Sequence, residues 1–182
     1  RPERIKKGQV VIALEEKGFR SNGISLVRKV LGEACGDNWH RKKINGRILG
    51  EMVLTPSRIY TPAVLDMLDF AEGITHITGG GIPEKLGRLL SVIGVGADIT
   101  DLFTPPEVML ICQKLGRVND KEAYKVWNMG QGMLIITDSP EKVVSIAKRY
   151  KIKAKIAGEI TEKKGIRLVS KGYYRKGNVL FY

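Results

Sequence analysis

Apolar and polar positions along the chain follow two different periods, and these periods predict its elements. Three short apolar runs, at 9–14, 74–78 and 132–138, are rich in β-branched residues and are typical of buried strands. Longer runs repeat their apolar positions every three or four residues, so that Ile24, Val27 and Leu31 fall on one side of a predicted helix. The same pattern predicts helices at 24–34, 61–73, 83–90, 104–116, 120–127 and 139–150.

The last part of the chain predicts further strands. Residues 153–161 and 165–170 are both strand-like and are separated by a short polar turn, which predicts a hairpin. Residues 178–182 predict one more strand, whereas the polar, glycine-containing stretch 35–50 predicts a loop. Alternating strands and helices followed by a terminal hairpin indicate an α+β fold built in layers.

Length and composition favour a single domain with an ordinary core, since 182 residues contain 43% hydrophobic residues. No apolar run approaches the ~20 residues that cross a bilayer, and no signal peptide is visible. The chain begins at Arg1 instead of Met, so we expect a fragment or a processed chain. Cys35 and Cys112 lie in different segments, which predicts packing residues rather than a disulfide or zinc site and favours a reducing cytoplasm.

The net charge of +12 favours a phosphorylated substrate or a polyanion as partner. The basic residues are dispersed, however, with their densest clusters at 41–43, 148–155 and 171–176. A lysine-rich solvated surface explains the same charge without any partner.

A run of three glycines, Gly79, Gly80 and Gly81, lies between a predicted strand and a predicted helix. Glycine permits positive φ and leaves room for a ligand beside the backbone amides. A helix start also presents free N–H groups and a partial positive charge. The run therefore predicts an anion site, most naturally for phosphate. A tight turn without a ligand explains it equally well, and the spacing fits neither a Walker loop nor Gly-x-Gly-x-x-Gly.

Two other turns join elements in a similar way. Ser21, Asn22 and Gly23 precede the first predicted helix, where the two polar side chains either cap that helix or hydrogen-bond a sugar or phosphate. Asn128 and Gly130 lie just before an apolar strand, where glycine otherwise marks a bulge or a tight turn. We expect the three turns to line one cleft, because each lies at a join between elements where backbone groups are free. The amides of Asn22 and Asn128 can both donate and accept, which suits the hydroxyls and the amide of a substrate.

Four stretches together resemble one family. In chain order they are SNGISLVRKVL, LTPSRIYTPAVL, HITGGGIPEKLGRLL and WNMGQGM. They resemble the successive motifs of aminoimidazole ribonucleotide synthetase, the phosphoribosylformylglycinamidine cyclo-ligase family, over roughly residues 5–160. The resemblance implies that residues 1–182 form the C-terminal, substrate-side domain of that family, a layered α/β/α domain with a mixed sheet. The family's N-terminal ATP-binding domain has no counterpart in this sequence.

The resemblance also implies an activity. The family converts formylglycinamidine ribonucleotide to aminoimidazole ribonucleotide in purine biosynthesis, by phosphorylation of the amide oxygen and ring closure by a substrate nitrogen. Positioning and charge stabilisation are then the protein's main contributions. ATP and Mg²⁺ are expected mainly on the N-terminal domain, so this chain alone is expected to be inactive and to hold no metal. The full-length enzyme is expected to be a cytoplasmic homodimer without membrane contact.

The chain departs from the family pattern at a position beside the first turn. Arg20 stands where the family usually has His, and an acid–base role there is in doubt because Arg stays protonated at neutral pH. His76 is the candidate catalytic residue that the resemblance implies. A structural histidine pointing into the core is the alternative, since His76 lies on a predicted apolar strand. The tail 163–182 matches the family less well.

Three other interpretations remain open from the sequence. The first is another member of the same superfamily, such as selenophosphate synthetase, thiamine monophosphate kinase or formylglycinamidine ribonucleotide synthetase; SNGISLVRKVL and NMGQGM favour the cyclo-ligase. The second is a basic nucleic-acid-binding module. This chain lacks the interleaved exposed aromatic residues of such modules, except in its tail GYYRKGNVLFY. The third is a structural domain whose glycines only form turns.

Overall fold

The computed structural model describes residues 2–182, and a mixed sheet runs through them. Residues 2–182 contain nine strands: β1 Val10–Glu15, β2 Lys43–Ile44, β3 Arg47–Ile48, β4 Gly73–His76, β5 Gly96–Ile99, β6 Gln131–Thr137, β7 Ala154–Thr161, β8 Gly165–Val169 and β9 Val179–Phe181. Seven of them form the main sheet in the order β4-β6-β1-β7-β5-β8-β9. Its pairs are antiparallel except β5 with β8, which is parallel, so the predicted mixed sheet is confirmed.

The six helices that the sequence pattern predicts are present in residues 2–182, and Leu49–Val53 is an additional short helix that the pattern did not predict. They are α1 Ile24–Cys35, α2 Leu49–Val53, α3 Thr61–Met67, α4 Gly81–Ile93, α5 Glu107–Gly116, α6 Asp120–Val126 and α7 Pro140–Arg149. Short 3₁₀ turns lie at Pro2–Arg4, Trp39–Arg41 and Leu68–Phe70. Helix α4 begins two residues earlier than predicted, inside the glycine run, and this places its first turn at the candidate site. Among residues 2–182, no helix has the length and apolar character needed to cross a membrane.

Two hydrophobic cores lie on opposite faces of the sheet, because successive side chains of a strand point to opposite sides. Val11 and Ala13 of β1 join the core that holds buried residues of α1, α4, α5 and α6. Ile12 and Leu14 join a second core with buried residues of α3 and α7. Helices therefore cover both faces, and the layered α/β/α prediction is confirmed. Cys112 packs in the first core, and neither cysteine is in a disulfide.

The predicted terminal hairpin is wrong, because β5 lies between its two strands. β7 and β8 each pair with β5 and not with each other, so the turn after β7 passes over the start of β5. Gly96 opens β5 at that point, and a Cβ there would collide with the carbonyl of Lys163. The sequence pattern did not predict β5, because this strand is only four residues long and includes the charged residue Asp98.

The predicted loop at 35–50 contains a small hairpin instead. β2 and β3 pair across Asn45 and Gly46, which both have positive φ, at 50° and 76°. Asn-Gly with two positive φ angles is the favoured two-residue hairpin turn. Strands of two residues show no alternation, so only the Asn-Gly pair could have predicted it.

Candidate functional site

The turn before α1 and the turn before α4 lie against each other. A Cβ on Gly79 would stand 3.5 Å from Oδ1 of Asn22, so the Asn22 side chain lies beside the glycine run. The indole of Trp127 occupies the space next to Gly23, and its Nε1 donates to the carbonyl of Gly23 at 3.3 Å. Gly81 lies so close to the carbonyl of Tyr124 that any side chain there would clash. The end of α6, which leads into the third turn, thus contacts both of the others.

The first turn does not use its polar side chains as helix caps. Gly23 is the N-cap residue of α1, with φ at 70°, and no side chain caps the helix. Ser21 is exposed and Asn22 is partly exposed. The capping alternative is therefore wrong, and both side chains are accessible to a ligand.

In the third turn, the side chain of Asn128 hydrogen-bonds backbone groups of two segments. The Asn128 side chain is buried, its Nδ2 donates to the carbonyl of Gly18 at 2.9 Å, and its Oδ1 accepts from the N–H of Gly130 at 2.8 Å. Gly130 has φ at 86° and packs against the carbonyl of Thr104. Because backbone groups already occupy both ends of its amide, Asn128 supports the site in this structure rather than facing it.

The glycine run forms the start of α4 but meets a carboxylate there. Gly80 and Gly81 have φ at 88° and 59°, and α4 begins at Gly81. The carboxylate of Glu84 lies against Gly80, and Nζ of Lys85 donates to it at 3.0 Å. An anion at this helix start therefore meets the chain's own negative charge, which the sequence did not reveal.

Arg20 lies at the centre of the polar contacts, in a left-handed conformation with φ at 62°. Its Nη1 donates to the carbonyls of Ile77 and Gly132, both at 3.5 Å, and its Nη2 contacts Nε2 of His76. Its Nε lies 3.6 Å from Oε2 of Glu16. The sequence singled out Arg20 only as a departure from the family; its contacts join the first turn to the strand that carries His76.

A buried pair of residues supports Arg20. Glu16 is buried, and its Oε2 lies 3.1 Å from the hydroxyl of Tyr60, which also donates to the carbonyl of Glu15 at 2.7 Å. The ring of Tyr60 lies 5.8 Å from Cζ of Arg20. Burial and the nearby Glu16 carboxylate raise the pKa of Tyr60 far above its ordinary value, so the hydroxyl stays protonated and donates. Gly132 leaves the space for that hydroxyl. Sequence reasoning missed this pair.

His76 is exposed, which excludes the alternative of a core histidine. Partial burial and, second, the charge of Arg20 lower its pKa below the ordinary 6.5. His76 lines a cavity of about 460 Å³ between the edge strand β4 and α4, together with Thr78, Lys85 and Arg88. The cavity thus combines an imidazole, a hydroxyl and two cations, which is a suitable set for an anionic ligand with acceptor oxygens.

Comparison with known proteins connects this arrangement to one family. A family profile described as "AIR synthase related protein, C-terminal domain" matches residues 6–171. The phosphoribosylformylglycinamidine cyclo-ligase of Methanococcus vannielii is 40% identical over 162 residues, covering 87% of this chain and 46% of the relative. The protein of the same name from Methanopyrus kandleri is 37% identical over 168 residues, covering 90% of this chain and 47% of the relative. The chain thus spans about half the length of these relatives.

Solved structures share the fold at lower identity. HypE from E. coli matches with a TM-score of 0.62 at 20% identity, covering 99% of this chain and 51% of that protein. The structure titled "T. maritima PurL complexed with FGAR" matches with a TM-score of 0.56 at 16% identity, covering 97% of this chain and 27% of that protein. At these identities the matches establish the fold.

Proposed function

The chain belongs to the family of C-terminal domains of AIR synthase related proteins, and from this premise we propose that it is the substrate-side domain of an ATP-dependent phosphoribosylformylglycinamidine cyclo-ligase. The full-length protein would convert formylglycinamidine ribonucleotide to aminoimidazole ribonucleotide. The observation that carries the proposal is the 40% identity, across 87% of the chain, to a relative of that name.

The proposed role of this chain is to bind and orient the substrate. Lys85 and Arg88 would attract the ribonucleotide's phosphate to the cavity, and charge-assisted hydrogen bonds of this kind are roughly twice as strong as neutral ones. Asn22 and the amides around Gly79 would hold the sugar or the amidine group beside it. His76 would contact the substrate from β4. Fixing the reacting groups in one geometry is the contribution that ring closure most requires from a protein.

We propose that the full-length protein, and not this chain alone, binds ATP and Mg²⁺. Within the part of the chain that the structure describes, no group of three His, Cys, Asp or Glu side chains is placed to hold a metal ion. The described residues thus do not form a magnesium site from protein ligands alone, and we derive no step through one. We propose that both bind to the half of the relatives' length that this chain does not match. The cytoplasmic homodimer is likewise proposed, on the resemblance alone.

The segment 54–68 supports a contact with that other half. It exposes four large apolar side chains: Leu54, Ile59, Leu65 and Leu68, at 80%, 78%, 60% and 50%. Four large apolar side chains exposed within 15 residues of the chain are more than the scattered single ones that an ordinary surface carries. We propose that the remaining half of the full-length protein covers this segment.

A chimera tests the proposal. The part of the M. vannielii cyclo-ligase that this chain does not match would be joined to this chain, and ADP release would be measured with formylglycinamidine ribonucleotide. We expect substrate-dependent ADP release from the chimera and none from this chain alone. A folded chimera without turnover would contradict the proposed function, and turnover by this chain alone would contradict the proposed division between the halves.

A further inference from the structure

The contact between Arg20 and His76 determines which nitrogen of the imidazole carries the proton. Nη2 of Arg20 faces Nε2 of His76, and an arginine nitrogen only donates hydrogen bonds. Nε2 must therefore present its lone pair, and a neutral imidazole with a free Nε2 carries its proton on Nδ1. We propose that Arg20 is a positioning residue that holds His76 as the neutral Nδ1–H tautomer, so that His76 serves the cavity as a hydrogen-bond donor and not as a general base.

Arg20 is held firmly enough to impose this choice. Its guanidinium is fixed on three sides: Glu16 lies at Nε, the carbonyls of Ile77 and Gly132 lie at Nη1, and the ring of Tyr60 lies against Cζ. The Arg20 side chain is only 11% exposed, and that of Glu16 is fully buried. A rotation that released His76 would also break the pair with a buried carboxylate, which is costly to leave without a partner.

The surrounding charges oppose protonation of His76 from both sides. Arg20 faces the ring from the turn before α1, and Lys85 and Arg88 line the same cavity from α4. Glu16 and Glu84 are the nearby carboxylates; Glu16 lies beside Arg20, and Glu84 is paired with Lys85. Burial, and after it the charge of Arg20, lower the pKa of His76, in agreement with a neutral ring at pH 7.

The free nitrogen defines the ligand chemistry. Among residues 2–182 the structure gives His76 Nδ1 no hydrogen-bond partner, since the contact of Nε2 with Arg20 is the ring's hydrogen bond. An Nδ1–H donor near Lys85 and Arg88 suits an acceptor oxygen that carries negative charge, such as a phosphoryl or carboxylate oxygen. This ligand role rests on the proposed function, whereas the tautomer does not.

Nuclear magnetic resonance of the ¹⁵N-labelled chain tests the tautomer directly. The protein contains two histidines, so long-range ¹H–¹⁵N spectra at pH 7.5 hold two imidazole patterns, and His76→Gln assigns them. We expect His76 to be mainly the Nδ1–H form in the wild type. In Arg20→Ala the Nδ1–H form should fall from the major to the minor species, while the His40 signals stay unchanged. Arg28→Ala, which removes an exposed arginine from α1, should alter neither pattern.

The outcomes separate this inference from the proposed function. A wild-type His76 that is mainly Nε2–H, or a tautomer ratio unchanged by Arg20→Ala, would overturn it. If Arg20→Ala fails to fold because Glu16 loses its partner, the double variant Glu16→Gln/Arg20→Ala removes both charges and gives the same readout. An inactive chimera would leave these spectra unchanged, so failure of the cyclo-ligase proposal and failure of the tautomer assignment are observed in different experiments.

Discussion

Replacing Asn128 with alanine should destabilise the fold strongly, although the residue lies in a turn. The change removes the donor to the Gly18 carbonyl at 2.9 Å and the acceptor of the Gly130 N–H at 2.8 Å. Each buried backbone group left without a partner costs about 1–3 kcal/mol. Relaxation and entering water recover part of the sum, so we expect a loss of about 3 kcal/mol in the free energy of unfolding. For a chain of this size that lowers Tm by about 6–12 °C.

Urea unfolding followed by tryptophan fluorescence, to which buried Trp127 contributes, measures this loss. Asn178→Ala is the matched control, since Asn178 is exposed and should stay within about 0.5 kcal/mol of the wild type. Asn128→Asp should be about as damaging as Asn128→Ala, because a carboxylate can still accept from Gly130 but cannot donate to Gly18. An Asn128→Ala variant within about 0.5 kcal/mol of the wild type would refute the supporting role assigned to this amide.

Three further predictions concern the ligand side of the site. In the chimera, Asn22→Ala should raise KM for formylglycinamidine ribonucleotide by about 5- to 150-fold and leave KM for ATP nearly unchanged; a larger effect on ATP would contradict the assigned side. Glu84→Gln should tighten binding of inorganic phosphate to this chain by about fivefold in calorimetry, because it removes a carboxylate beside Gly80, whereas Glu33→Gln on the exposed face of α1 should not. Because the folded-state pKa of His76 is lowered, the unfolded chain binds its proton first as pH falls below about 6.5, so urea stability should decrease there. His76→Gln should lack that part of the decrease, and identical pH profiles would contradict it.

The regular parts of the fold were predictable, and the parts that failed depended on distant contacts. Strands β1 and β6 show continuous apolar runs, and α7 carries a strong helical period, so local pattern was sufficient for them. Nothing local reveals that β5 inserts between β7 and β8, because strand order depends on which backbone edges pair in three dimensions. A short polar turn between two strands forms a hairpin only when the two strands pair with each other, and here a third strand pairs with both.

The site was predictable at its glycines and not at its side-chain partners. The glycines at 79–81 and at 23 are recognisable in the sequence as turn residues. Gly23, Gly80 and Gly81 have positive φ in the structure, as expected for glycines in turns. The contacts of Arg20 with His76 and with the carbonyl of Gly132 join three separate segments, so no spacing rule contains them. Likewise, the sequence alone does not distinguish an asparagine that faces a ligand from one that hydrogen-bonds the backbone.

Titration of the ¹⁵N-labelled chain with formylglycinamidine ribonucleotide tests the central claim most directly, because it shows where the substrate binds without requiring the other half of the enzyme. The account predicts that backbone amide shifts concentrate at His76 and Lys85, which line the cavity between β4 and α4, and at Asn22 and Gly79–Gly81 in the two turns that lie against each other. Shifts confined to the basic stretch 171–176, or no shifts at millimolar substrate, would contradict the assignment of this site.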